Sequence, residues 1–166
     1  MTPDLAYVIE QERQKHPERG KLADCVVAID PGETTGLTYM VGSVVGESIQ
    51  VKTPTVEDLE ELLRWLNSLR AAYHVNVAVI ESYRIFSWKA EQHVWAGLHT
   101  PQLIGALRLW FRMERIPVVM QSPQVAKGFV TDQKLKDWDL WVKGQPHARD
   151  AIRHGIYFQI FGDAPE

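Results

Sequence analysis

The sequence predicts an α/β domain: a mixed five-stranded sheet, three antiparallel strands plus two parallel ones, flanked by helices. Three observations predict it. Short β-rich runs lie near 24–30, 35–41 and 45–52 with Gly-containing turns between them, which reads as an antiparallel meander. Two more apolar runs, 75–81 and 116–120, each follow a helical pattern, and strands joined through helices run parallel. The length, 166 residues, suits one domain with one sizeable core.

The elements follow in order. Leu5, Val8 and Ile9 share a helical face over 3–17, and Pro17 helps end that helix. We therefore divide the chain into an N-terminal helical extension, 1–23, and a folded domain, 24–166. After the meander, Thr55 is a helix cap with Asp58 in capping-box position. Leu59, Leu62, Leu63 and Leu66 then keep helical spacing to about residue 72. A long helix is expected near 89–115, bent or broken around Thr100-Pro101. Ser122-Pro123 starts a short helix through about Phe129, Pro being suited to the first helical position. Residues 132–141 are ambiguous, and Pro146 opens a last helix that Gly162 closes.

Composition excludes some classes. Apolar residues make up 45% and charged residues 23%, as in ordinary globular proteins. No apolar run is long enough to span a membrane, and Met1-Thr2-Pro3-Asp4 opens no signal-peptide pattern. Cys25 is the single cysteine, so an internal disulfide is impossible and a cytoplasmic setting is expected. The net charge of −3 is unevenly placed. Residues 1–81 carry 7 basic and 13 acidic side chains, the remainder 11 and 8. The second half is thus the one suited to phosphates.

The chemistry concentrates at strand ends. Val26-Val27-Ala28-Ile29 runs into Asp30, and Val77-Ala78-Val79-Ile80 into Glu81. A carboxylate ending a dry strand costs free energy unless it is paired or binds a cation. Neighbouring parallel strands bring their carboxyl ends to one edge, where sites gather. The last helix adds His147 and Asp150, three residues apart and so on one face. Taken singly, Asp30 also fits a turn acid, Glu81 a solvated strand end, His147 a helix start and Asp150 a surface partner of Arg149 or Arg153. Taken together they form an oxygen-rich set suited to Mg²⁺ or Mn²⁺. Two such ions about 3.5–4 Å apart would serve phosphodiester hydrolysis.

Ile29-Asp30-Pro31-Gly32 with Thr35-Gly36, Val79-Ile80-Glu81, Ser122-Pro123-Gln124-Val125-Ala126-Lys127 and His147-Ala148-Arg149-Asp150-Ala151 occur in that order. In these motifs the chain resembles the RuvC-type Holliday junction resolvases of the ribonuclease-H-like superfamily, and in its compact, divergent form it is similar to phage-encoded versions. The resemblance implies a homodimeric, metal-dependent endonuclease that nicks branched DNA, acting in the host cytoplasm if phage-encoded. It implies Asp30, Glu81, His147 and Asp150 as metal-binding catalytic residues. It implies Lys127 as a catalytic, DNA-binding lysine near the scissile phosphate, and Lys134 as a second DNA-binding lysine. The helix ahead of the first strand and the segment 128–134 depart from the family's pattern, which admits flaps and forks beside four-way junctions as substrates.

After Glu81 the chain reads Ser82-Tyr83-Arg84-Ile85-Phe86-Ser87-Trp88-Lys89. Rings there suit stacking on exposed bases and Arg84 and Lys89 suit phosphates, with Tyr83 and Phe86 as candidate DNA contacts. Ile85, Phe86 and Trp88 fit core or dimer contacts equally. The following helix, from Val94 to Phe111, is more apolar than one buried stripe needs, and its surplus fits a dimer interface or equally a central core helix. His93 and His99 on it read as structural. Trp138 and Trp141 fit packing better than a DNA-contacting edge. Three other readings remain open at this point: a ribonuclease-H-fold RNA nuclease like YqgF, a non-catalytic branched-DNA binder, and a phosphate-loop ATPase of the actin type.

Overall fold

The computed structural model describes residues 3–19, 21–83 and 99–162. The elements are α1 (Leu5–Gln14), β1 (Cys25–Asp30), β2 (Thr34–Val41), β3 (Val44–Lys52), α2 (Val56–Ala72), β4 (Val77–Glu81), α3 (His99–Met113), β5 (Val118–Gln121), α4 (Pro123–Phe129), α5 (Asp132–Asp137) and α6 (Pro146–Phe161), with a short 3-10 turn at Pro17–Arg19. The sheet order is β3-β2-β1-β4-β5. The β1–β2 and β2–β3 pairs are antiparallel, and the β1–β4 and β4–β5 pairs are parallel. This is the predicted mixed five-stranded sheet.

Alternation along the strands sorts the core into two layers. Val27, Ile29, Ala78 and Ile80 face α2 and α3, joining Leu62, Leu66, Leu103, Leu107 and Phe111. Val26, Ala28, Val77, Val79 and Val119 occupy the opposite face, the one on which α6 crosses β1, β2, β3 and β4. Beyond α6, Ile9 of α1 is buried with Ile152, Ile156 and Ile160. Helix α1 is thereby docked on the outer side of α6, and Arg13 Nη1 donates to the Gln159 carbonyl at 2.6 Å.

Local chemistry explains the boundaries. Thr55 and Asp58 form the reciprocal capping box at the start of α2. Ser122 precedes Pro123 at the start of α4 as expected, but its hydroxyl bonds the Gln124 side chain at 2.6 Å instead of a helix N–H. The ambiguous stretch resolves into α5, capped by Thr131, whose side chain accepts from the Lys134 N–H. Pro101 lies in the first turn of α3, where its missing N–H has no intrahelical partner to lose. The part of the long helix expected before His99, with His93, lies outside the described residues, as do Arg84, Phe86 and Lys89.

Candidate metal centre

Parity along the strands aims the acids. Ile29 of β1 pairs with Ile80 of β4 in parallel register, so Asp30 and Glu81 end neighbouring strands at the same edge. Asp30 shares its face with Val26 and Ala28, and Glu81 shares its face with Val77 and Val79, so both carboxylates turn toward α6. The turn after Asp30 is stiffened by two buried threonines. Thr35 and Thr53 bond each other at 2.7 Å, and Thr53 Oγ1 donates to the Gly32 carbonyl at 2.6 Å.

Helix α6 supplies the other side. Small residues let it approach the sheet: a Cβ on Gly155 would already touch Met40 Sδ at 3.2 Å. Its first turn is tied to β3 by two glutamines. Gln50 Oε1 accepts from the His147 N–H at 3.2 Å, and Gln145 Oε1 accepts from the Gln50 N–H at 3.1 Å. Gln50 thus satisfies one of the N–H groups that a helix start leaves open.

Asp30, Glu81 and Asp150 each offer a ligand oxygen, and these atoms all lie within 4.8 Å of one another. Burial, with the Glu81 charge beside it, pushes the Asp30 carboxyl up from 3.8 to about 6, against the opposing pull of His147. His147 Nδ1 sits 2.8 Å from Asp30 Oδ2, with its side chain 42% exposed. It therefore joins the site through Asp30 and is not one of the three clustered ligands. Lys127 Nζ is 2.9 Å from Asp150 Oδ2 and 3.8 Å from Glu81 Oε2. Desolvation pulls its ammonium down, but the bond to Asp150 and the charges of Glu81, Asp150 and Asp30 outweigh it and hold the pKa above the ordinary lysine value. Three hard oxygen donors around a shared space, one of them destabilised as an anion, fit a divalent cation.

The other expected residues fall differently. The Lys134 ammonium donates to the Phe129 carbonyl at 2.7 Å and stands 3.9 Å from that ring's centroid. Tyr83, two residues beyond Glu81, packs against the α2–α3 core layer. Trp138 and Trp141 pack against the α6 layer, and Arg149 and Lys136 stand over the Trp141 ring at 4.0 and 4.7 Å.

The sequence does not mark His154 as a site residue, and it suggests Arg153 only as a surface partner of Asp150. His154 is fully buried, with Nε2 2.7 Å from Glu81 Oε2 and Nδ1 2.5 Å from the Gln121 side-chain amide. Arg153, also buried, bonds the carboxylates of Asp150 and Asp132 and the Val130 carbonyl. The available signal for His154 was helical spacing: 147, 150 and 154 lie on one face.

No family model matches the sequence, and no curated protein sequence matches it. Solved structures do match. RuvC of T. thermophilus in complex with a Holliday junction substrate superposes with a TM-score of 0.65 at 17% identity, covering 86% of this chain and 99% of that one. The chain has the RuvC fold. A second T. thermophilus RuvC structure gives 0.62 at 19% identity, over 86% and 99%. The yeast mitochondrial Holliday junction resolvase Ydc2 gives 0.59 at 14% identity, over 92% and 85%. In this RuvC fold the three carboxylates occupy the carboxyl-end edge of β1 and β4 beneath the start of α6. Among the described residues, no helix is long and apolar enough to cross a membrane.

Proposed function

We propose that the protein is a divalent-metal-dependent endodeoxyribonuclease that cuts Holliday junctions or other branched DNA. The observation that carries this reading is the convergence of Asp30, Glu81 and Asp150, from three different elements, within 4.8 Å on a RuvC fold. Those three would hold Mg²⁺ or Mn²⁺, as two ions, and a bound pair supplies Lewis-acid activation of water and charge neutralisation at the leaving oxygen. The chain's own residues do the rest. Asp30, largely dry and next to Glu81, is relieved of repulsion when a cation is present. His147, held at Asp30 by Nδ1 and half exposed, keeps its ring at the rim as a further ligand or proton carrier. Lys127 balances the acids in the metal-free protein and turns its ammonium to the scissile phosphate when DNA is bound.

The substrate side draws on Tyr83 and on Arg84, Phe86 and Lys89 for contact with the branch. A homodimer is supported by α3, which exposes Leu109 (60%) and Met113 (72%) beside an apolar groove lined by Leu59, Leu63 and Trp110. Residues 1–23 form the extension and 24–166 the nuclease domain.

The test is cleavage of labelled four-way junction, flap and linear duplex DNA with Mg²⁺, Mn²⁺ or EDTA, beside Asp30→Asn. Metal-dependent cuts on branched DNA, absent in the variant, are expected. Cleavage of RNA alone, or binding of branches without cleavage, overturns the proposal.

A further inference from the structure

Two imidazoles touch the acidic cluster, and they differ in kind. The His147 side chain is 42% exposed, whereas His154 is sealed between α6 and the sheet at 0%. A fully buried ring does not reach DNA. Its two nitrogens are engaged at opposite ends: Nε2 at Glu81 Oε2, 2.7 Å away, and Nδ1 at the Gln121 amide, 2.5 Å away. An ionised carboxylate only accepts hydrogen bonds, so Nε2 carries the proton. Gln121 Oε1 faces Nδ1 and accepts from it when it carries a proton; with the amide turned over, its NH₂ donates to an unprotonated Nδ1. Gln121 ends β5 and pairs with Glu81 in parallel register. The carboxylate, the ring and the amide therefore form one line across two strand ends and a helix.

We propose that His154 is a positioning residue: it holds one oxygen of Glu81, so that the other is presented to the cation, with Gln121 fixing the ring. This rests on the metal-site reading above. Glu81 has a long side chain, and an unheld glutamate must lose its rotamer freedom each time it binds a cation. A buried donor removes that freedom in advance, as outer-shell partners of metal ligands do. Asp30 and Asp150 have other supports, His147 and Arg153 respectively; the ring supports Glu81.

The experiment measures Mn²⁺ affinity by calorimetry, alongside melts in EDTA, for the wild type, Asp30→Asn, His154→Phe, His154→Gln and Gln121→Leu. His154→Phe keeps a buried ring without a donor and is expected to weaken Mn²⁺ binding by about 10–100-fold. His154→Gln places an amide N–H near the lost Nε2 and is expected to restore most of that affinity. Gln121→Leu leaves the donor but frees the ring, so an intermediate loss is expected. A folded His154→Phe protein that binds within about twofold of wild type overturns the positioning role alone, as does a loss that His154→Gln shares in full. If His154→Phe does not fold, unchanged affinity in Gln121→Leu overturns it. Wild type binding no more tightly than Asp30→Asn overturns the metal reading and the positioning role with it.

Discussion

Gly36 lies directly against the backbone of His147: a Cβ on Gly36 would stand 1.9 Å from the His147 carbonyl oxygen. Backbone cannot step aside as a side chain can. Gly36 pairs with Asp30 across β1 and β2, so this close approach sets the distance between the first acid and the helix that carries the others. Gly36→Ala is expected to push the start of α6 off the sheet, at a cost of about 1–3 kcal/mol or more. Urea denaturation reads the stability, and Mn²⁺ titration well below the melting temperature should show weaker binding in the fraction that stays folded.

Asp30 makes the metal-free protein's stability depend on pH in a defined direction. Its carboxyl pKa rises from 3.8 to about 6 on folding, chiefly through burial, then through Glu81. The folded state therefore holds the proton more tightly than the unfolded one. The stability it contributes is fully present below pH 3.8 and is lost as the pH rises through about 6. Each tenfold difference in proton affinity is worth about 1.4 kcal/mol, so the loss is on the order of 1–3 kcal/mol. Asp30→Asn removes it. In EDTA the variant should be more stable than wild type at pH 8 by that amount, and the gap should close on acidification toward pH 4. Urea denaturation at a series of pH values checks the closing of the gap, and a gap that stays constant would contradict it.

A cation should reverse that order. Anything that binds only the folded state stabilises by an amount set by its concentration over its Kd, about 2.7 kcal/mol at a hundredfold excess. Mg²⁺ or Mn²⁺ is expected to raise the wild-type melting temperature and to leave Asp30→Asn nearly unchanged. Thermal melts with increasing metal, at constant ionic strength, separate this from general screening.

The strands and the outer acids are legible in the sequence because each leaves a local mark. Asp30 and Glu81 end apolar runs, and Pro-Gly after Asp30 announces the turn. His154 carries only its helical spacing from His147 and Asp150, which does not single it out. Among Ala151, Ile152 and Ile156 it reads as a core position, and its partner Glu81 is 73 residues away, a relation created only by laying α6 over β4. Arg153 reads as a surface partner of Asp150; the pairing exists, but the guanidinium is buried because Val130 and Asp132 close over it. The contact of the Lys134 ammonium with the Phe129 ring and carbonyl is likewise one that charge pattern does not encode.

Arg153 predicts a stability effect of unusual size for one polar residue. Its fork holds Asp150, Asp132 and the Val130 carbonyl at once. Arg153→Leu leaves the Asp150 carboxylate partly buried with one fewer counter-charge, and breaking a buried pair costs about 3–5 kcal/mol. Arg153→Lys should recover only part of this, because an ammonium cannot reproduce the planar fork. Urea denaturation in EDTA measures both variants; equal stability of Arg153→Lys and wild type would contradict the bridging role.

Lys127 predicts two effects of opposite sign. In the metal-free protein its ammonium lies 2.9 Å from Asp150 and 3.8 Å from Glu81, in the space a cation would share. Removing it deepens the negative potential of the cluster, so Lys127→Met should bind Mn²⁺ several-fold more tightly than wild type. In the proposed nuclease the same ammonium would meet charge developing on a phosphodiester. Loss of one such donor costs roughly 10²–10³ in rate. Cleavage at saturating metal should therefore fall by about that factor while metal affinity rises. Calorimetry and single-turnover cleavage of a four-way junction read the two quantities separately. A variant that loses metal affinity and rate together would mean that Lys127 supports the fold of the site and not its chemistry.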